Sequence, residues 1–220
     1  MATPTILFDL DGTITDSGEG IINSAAMTLE RLGLPVPNRQ IMRSFVGPPL
    51  HDTFIKFGVA PKDADKAVEI YRSRYHTIGK YENYPYPGIR ELLEALKAQK
   101  CHLMIATSKP EKLSCDILEH FHLAQYFDRI CGATLDRSRI TKADVIAHLL
   151  AECPSCCNML MIGDTAFDVT GAADHNIQTI GVSWGYGSVE EMQKAGAVAI
   201  AHTPDELYNL LCKHFKLNHT

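Results

Sequence analysis

A chain of 220 residues with 45% hydrophobic and 21% charged side chains has enough apolar material for one full core, or for one core plus a small lobe. Its formal net charge is -5, and it has no basic run to follow a phosphate backbone, which argues against a nucleic-acid partner. The opening Met1-Ala2-Thr3-Pro4 lacks the basic flank of a signal peptide and no apolar stretch reaches the ~18 residues of a membrane span, so a cytoplasmic protein with no membrane partner is expected.

The first predicted element is a strand. The apolar run Thr5-Ile6-Leu7-Phe8 passes into Asp9-Leu10-Asp11-Gly12-Thr13, the pattern of a fully buried strand that delivers carboxylates to a sheet edge. Side chains alternate along an extended chain, so Asp9 and Asp11 are expected on one side, ~6.6 Å apart. By itself the string also fits a plain strand-ending turn. Residues 16–84 then read as helices. Ile21, Ile22, Ala25, Leu29 and Leu32 recur at helical spacing and stop at Gly33, with further helical runs over 41–45, from about 51 and over 62–75. This length far exceeds the dozen or so residues that a βα crossover requires. A small helical lobe is therefore expected, leaving at Asp16-Ser17-Gly18 and returning at Tyr84-Pro85-Tyr86-Pro87-Gly88.

From Gly88 onward helix and strand alternate. Ile89, Leu92, Leu93 and Leu96 form a helical stripe, and 103–107 a short strand. A helix follows through Ile117, Leu118 and Phe121, then a strand over 128–132 and a helix over 142–150. Three more strands are predicted over 159–162, 179–183 and 197–201. Such alternation implies a parallel sheet covered on both faces. The expected class is α/β, a Rossmann-like doubly wound parallel sheet in 1–15 and 86–220, with a helical domain in 16–85 inserted after the first strand.

The seven cysteines are odd in number and scattered, with Cys101 and Cys131 inside apolar runs, which fits reduced thiols better than disulfides. Cys153-Pro-Ser-Cys156-Cys157 contains a CxxC, but no second pair stands at zinc-finger spacing. A surface loop is expected there.

Chemistry concentrates at three predicted strand ends: Asp9 and Asp11, then Thr107 and Ser108, then Asp164 with Asp168. In a parallel sheet these ends share one edge, where ligands bind. The spacing Gly163-Asp164-Thr165-Ala166-Phe167-Asp168 sets the second acid about one helical turn past the first. Four carboxylates would then share a pocket. Like charges at ~4 Å repel by ~4 kcal/mol at an effective dielectric of ~20, so the cluster calls for a cation. Oxygen-only ligands favour Mg²⁺ over zinc. A Mg²⁺ in an acidic pocket suits a phosphate, whose oxygens would meet Thr107, Ser108 and the N–H groups opening the next helix. Lys142, read alone as a solvated helix residue, is placed between the second and third strand ends and offers a further positive charge.

The order Asp-x-Asp-Gly-Thr, strand-end Thr, isolated Lys and Gly-Asp-x-x-x-Asp resembles the four motifs of the haloacid dehalogenase superfamily. The inserted helices resemble its cap domain of the first type. Val46-Gly47-Pro48-Pro49-Leu50 and Gly181-Val182-Ser183-Trp184-Gly185-Tyr186-Gly187 are similar to its phosphoglycolate phosphatase and 5′-nucleotidase branch. The resemblance implies Mg²⁺-dependent hydrolysis of a small phosphate monoester, with Asp9 as nucleophile and Asp11 as acid and then base. It implies that Thr107 binds the phosphoryl oxygens and that Lys142 holds Asp9 and the phosphate together. Substrate contacts would come from Gly12, Thr107, Ser108, Lys109 and the cap residue Leu50. The metal would be held by Asp9, Asp11 through its carbonyl, Asp164 and, less directly, Asp168.

A sugar phosphomutase is disfavoured because Pro48-Pro49-Leu50-His51 carries no Lys or Arg, and a dehalogenase because Asp11 is present. A binding module without turnover would be marked by loss of Asp9, Asp11, Lys142 or Asp164, and all four are in place. Arg43, His51, Arg72, Arg74 and Lys80 are candidate substrate contacts. Trp184 and Tyr186 suit either base stacking or closing the core. A monomer or weak homodimer is expected.

Overall fold

The computed structural model describes residues 3–136, 138–153 and 158–217. In chain order its elements are β1 (Thr5–Phe8), β2 (Thr15–Asp16), α1 (Gly18–Arg31), α2 (Arg39–Met42), α3 (Leu50–Lys56), α4 (Ala64–Tyr75), β3 (Tyr84–Pro85), α5 (Ile89–Ala98), β4 (His102–Pro110), α6 (Glu111–His120), β5 (Arg129–Ala133), α7 (Lys142–Glu152), β6 (Met159–Gly163), α8 (Ala166–Ala173), β7 (Gln178–Val182), α9 (Val189–Ala195), β8 (Ala199–Ala201) and α10 (Pro204–Phe215). They form two compact units, Met1–Thr15 with Pro85–Thr220, and Asp16–Tyr84.

The larger unit is built on a parallel sheet in the order β5-β4-β1-β6-β7-β8. β1 lies inside it, with Thr5 opposite His102 on one side and Met159 on the other. Its side chains alternate between two cores. Ile6 and Phe8 join a cluster with Leu93 and Leu96 of α5, Ile117 of α6 and Leu211 of α10. Leu7 joins Val145, Ile146 and Leu149 of α7 and Ala172 of α8. A strand buried on both faces has no polar side to alternate with, which is why Ile6, Leu7 and Phe8 are contiguous and fully buried. Burying each such side chain contributes about 1.5–3 kcal/mol. The chain reverses its direction of winding between β1 and β6, and ligand crevices in open α/β sheets form at such a switch point, beyond the carboxyl ends of the strands.

The smaller unit has an aromatic core. Phe45 and Phe54 stand 5.1 Å apart between ring centroids, and Tyr71 stacks on Tyr75 at 5.3 Å. α1 contributes Ile21, Ile22, Ala25 and Leu29, all buried. Arg74 donates to both carboxylate oxygens of Glu82, at 2.7 and 2.8 Å, and to the Ser24 hydroxyl at 3.1 Å. Arg74 is therefore committed inside its own unit rather than left for substrate.

Three expectations change. β1 ends at Phe8, so Asp9 and Asp11 occupy the loop beyond it rather than one straight strand. Among the described residues, the Asp9 amide continues the ladder, donating to Ile162 at 2.9 Å. β4 runs on to Pro110 and α6 opens at Glu111. Thr107 and Ser108 thus lie in a strand and do not cap the next helix. α9 and α10 add to the alternating pattern beyond the elements read from the sequence.

Cys101, Cys115, Cys131, Cys153 and Cys212 are free thiols. Cys156 and Cys157 lie outside the described residues.

Candidate active site

Lys142 is the hub of the site. It is the first residue of α7, whose opening turn is fixed reciprocally: the Asp144 amide donates to the Thr141 hydroxyl at 3.1 Å, and the Thr141 amide to the Asp144 carboxylate at 2.9 Å. From there the buried ammonium meets Asp9 Oδ1 at 2.7 Å, the Ala106 carbonyl at 2.7 Å and Asp168 Oδ1 at 2.8 Å. Of its three N–H donors, two are spent on hydrogen bonds to Asp9 and Ala106, and Asp168 pairs with it by charge. Burial alone would lower the Lys142 pKa, but Asp168 and Asp9 outweigh it and hold the group above its ordinary value.

Asp168 is fully buried on α8 and its second oxygen is also engaged, accepting from the Thr165 amide at 3.1 Å and hydroxyl at 2.8 Å. Asp164 follows β6. Its Oδ2 accepts the Tyr186 amide at 2.8 Å and its Oδ1 the Thr13 hydroxyl at 3.5 Å. Glycines make this packing possible. A Cβ built on Gly12, whose φ is +85°, would collide with the Asp164 carboxylate, and one on Gly185 with the same carboxylate and the Gly12 carbonyl. Thr13, Gly185 and the Tyr186 amide were not identified from sequence as parts of the site. Two glycines flanking Tyr186 were the available signal that backbone approaches something closely there.

Burial, with Asp168 and Asp9 nearby, pushes the Asp164 carboxyl up to about 8. Burial also raises Asp168, against the opposing pull of Lys142. Asp9, Asp164 and Asp168 each offer a ligand oxygen, and these oxygens lie within 4.8 Å of one another. Three buried acids face one ammonium, and the upward shifts of Asp164 and Asp168 mark how unfavourable their joint ionisation is, a repulsion that a hard cation would relieve. The all-oxygen donor set fits Mg²⁺. Asp168 is committed to the Lys142 ammonium and to the Thr165 turn, whereas Asp164, among the described residues, meets only a backbone amide and, at 3.5 Å, a hydroxyl, so Asp9 and Asp164 are the side chains better placed to hold it.

The expected fourth carboxylate is directed elsewhere. Asp11 receives Lys109 Nζ on both oxygens at 2.8 Å. The Lys109 charge, read as a substrate contact, is thus spent largely on Asp11. Thr107 is buried and its hydroxyl accepts the Lys109 amide at 3.3 Å, whereas Ser108 is exposed. Leu50 opens α3 in the smaller unit and is half-buried. Trp184 closes the core: its indole N–H donates to the Thr13 carbonyl at 3.1 Å, and its ring packs against the cluster below β1 and meets Tyr86 at 6.4 Å.

Residues 6–182 match the model of the haloacid dehalogenase-like hydrolase family. A tyrosine-protein kinase, PtkA, from Mycobacterium tuberculosis is 41% identical over 94% of this chain and 72% of its own length. A 5′-nucleotidase from Pseudomonas aeruginosa is 42% identical, covering 86% of this chain and 87% of that protein. A phosphoglycolate phosphatase from Aquifex aeolicus is 33% identical over 82% and 85%. Among solved structures, one described as a predicted phosphatase from Clostridium acetobutylicum superposes with a TM-score of 0.90 at 41% identity, covering 97% of this chain and all of that one.

Proposed function

The chain belongs to the haloacid dehalogenase-like hydrolases, and from that premise we propose that it hydrolyses small phosphate monoesters through a phosphorylated Asp9. The observation that supports this reading is the fixation of Asp9 by the Lys142 ammonium at 2.7 Å, beside Asp164 and Asp168 at the end of the central strands. In the proposed reaction an Asp9 oxygen attacks phosphorus as the bond to the ester oxygen breaks. Asp11 gives its proton to the leaving alkoxide. As a carboxylate it then takes a proton from the water that attacks the acyl phosphate, releasing inorganic phosphate and restoring Asp9. Lys142 orients Asp9 and offsets charge on the transferring group, and Thr107 contacts the phosphoryl oxygens. Lys109 keeps the Asp11 side chain in place. Mg²⁺, held by Asp9, the Asp11 carbonyl and Asp164, would supply charge neutralisation.

The test is Asp9→Asn, nearly isosteric but not a competent nucleophile. Turnover should vanish while circular dichroism stays unchanged, and the wild-type chain, rapidly quenched with labelled substrate, should carry hydroxylamine-sensitive phosphate that the variant lacks. Activity within tenfold of wild type in the Asn variant would refute covalent catalysis by Asp9.

The substrate reading is a small ester such as phosphoglycolate. The 42% identity to the Pseudomonas aeruginosa 5′-nucleotidase favours a second reading, a nucleoside monophosphate. The ratio of kcat/KM for the two substrates decides between them.

A further inference from the structure

Away from the acidic site, a second group of metal-capable side chains lies where the last turns of α7 cover the edge strand β5. Cys131, His148 and Glu152 each offer one ligand atom, and these atoms lie within 4.8 Å of one another. His148 and Glu152 are four residues apart and share a helix face, with Nε2 and Oε1 3.4 Å apart. Cys131 comes from β5 and is buried in the apolar cluster beneath α7.

We propose that Cys131, His148 and Glu152 form a site for a borderline-soft divalent cation, Zn²⁺ foremost, separate from the all-oxygen acidic cluster. Tetrahedral zinc, with sulfur at ~2.3 Å and nitrogen and oxygen at ~2.0–2.2 Å, sets its ligands ~3.3–3.7 Å apart. The His148–Glu152 edge already has that length. The Cys131 sulfur lies within 4.8 Å of both atoms, and the His148 and Glu152 side chains, which stand partly in solvent, are free to turn toward it. Thiolate, imidazole and carboxylate, with a fourth position for water, suit zinc, whereas Mg²⁺ demands octahedral oxygen.

Binding breaks the Cys131 S–H bond. The sulfur pair goes to the metal and the proton to solvent, with no change of oxidation state. Burial, with Glu111 and Glu152 nearby, pushes this thiol up to about 11 against the pull of Arg139 and Arg129. The ion therefore competes with a proton, and affinity rises with pH. Arg129, 3.8 Å from the other Glu152 oxygen, balances part of that carboxylate's charge.

The experiment titrates the full chain with Co²⁺ in saturating Mg²⁺, which masks the acidic cluster, and follows the thiolate-to-cobalt charge-transfer band. One equivalent should bind, release one proton and be displaced by Zn²⁺. The band should disappear in Cys131→Ser. Affinity should fall at least tenfold in His148→Ala and in Glu152→Gln, whose partly exposed positions spare the fold, with hydrolysis in Mg²⁺ alone unchanged in His148→Ala. These two variants decide the matter if Cys131→Ser does not fold. A band that survives Cys131→Ser, unchanged affinity in His148→Ala and Glu152→Gln, or no band at millimolar Co²⁺ overturns the proposal.

Discussion

Asp164 ties the acidic cluster to solvent conditions. In the folded chain it keeps its proton up to about pH 8, whereas an unfolded Asp releases it near pH ~4. Between those values the folded state binds more protons, so this group lowers the stability of chelated protein as pH rises through the window. The expected outcome is a melting temperature that declines from pH 5 to pH 8 in chelator and is restored by Mg²⁺, with the Mg²⁺ effect growing with pH. Asp164→Asn should remove both trends, as read by thermal melts. Ca²⁺, with its looser shell, should bind but support little turnover. Gly185 offers a second check at this scale. Gly185→Ala forces a methyl group onto the Asp164 carboxylate and the Gly12 carbonyl, and should weaken Mg²⁺ activation at least tenfold in a metal titration of the rate. In the sequence, Asp9, Asp164 and Asp168 stand out by falling at the ends of predicted strands, whereas Lys142, ordinary by itself, is raised only by its position between them and by the resemblance. The sequence does not show that Lys109 faces Asp11. That pairing depends on β4 continuing past Thr107, and Ser108-Lys109-Pro110 has no apolar side chain to announce it.

Among elements, the strands that form the sheet interior were the most legible, since burial on both faces leaves runs such as Leu103-Met104-Ile105 without polar interruption. Their ends were less so. Hydrogen bonding to neighbouring strands, not side-chain pattern, decides that β1 stops at Phe8. Short elements also escape: β2 and β3 have two residues each, too few for any period to emerge. Helix starts can be tested individually. Removing the Thr141 cap in Thr141→Ala should cost about 0.5–2 kcal/mol of stability and lower the rate further by loosening Lys142, measured by denaturant unfolding and by kcat. In the smaller unit, the hydrogen bonds from Arg74 hold the Glu82 carboxyl below its ordinary range, against the effect of burial. That stability is present above pH ~4.5, the unfolded value, and is lost as pH falls toward the lower folded one. Glu82→Gln should therefore destabilise the protein by about 1–3 kcal/mol near neutrality. The difference from wild type should shrink in unfolding measured at pH 3.

On the scale of the whole molecule, every residue assigned to bond making and breaking belongs to the unit of Met1–Thr15 and Pro85–Thr220. For the inserted residues we propose a part in substrate selection. Replacing Leu50 by Trp or Arg should shift the ratio of kcat/KM between phosphoglycolate and a nucleoside monophosphate about tenfold and leave the Mg²⁺ titration unmoved. An equal loss on both substrates would assign Leu50 to folding instead. The strand order has a consequence for how the chain is made. β1 leaves the ribosome first, yet its neighbours in the sheet are β4 and β6, whose registers join Thr5 to His102 and to Met159. At ~5–20 residues per second of synthesis, the apolar Ile6-Leu7-Phe8 waits on the order of 10–30 s for its second partner. During translation, this apolar segment should need shielding from other chains, and nascent chains halted before β6 should be the ones that aggregate.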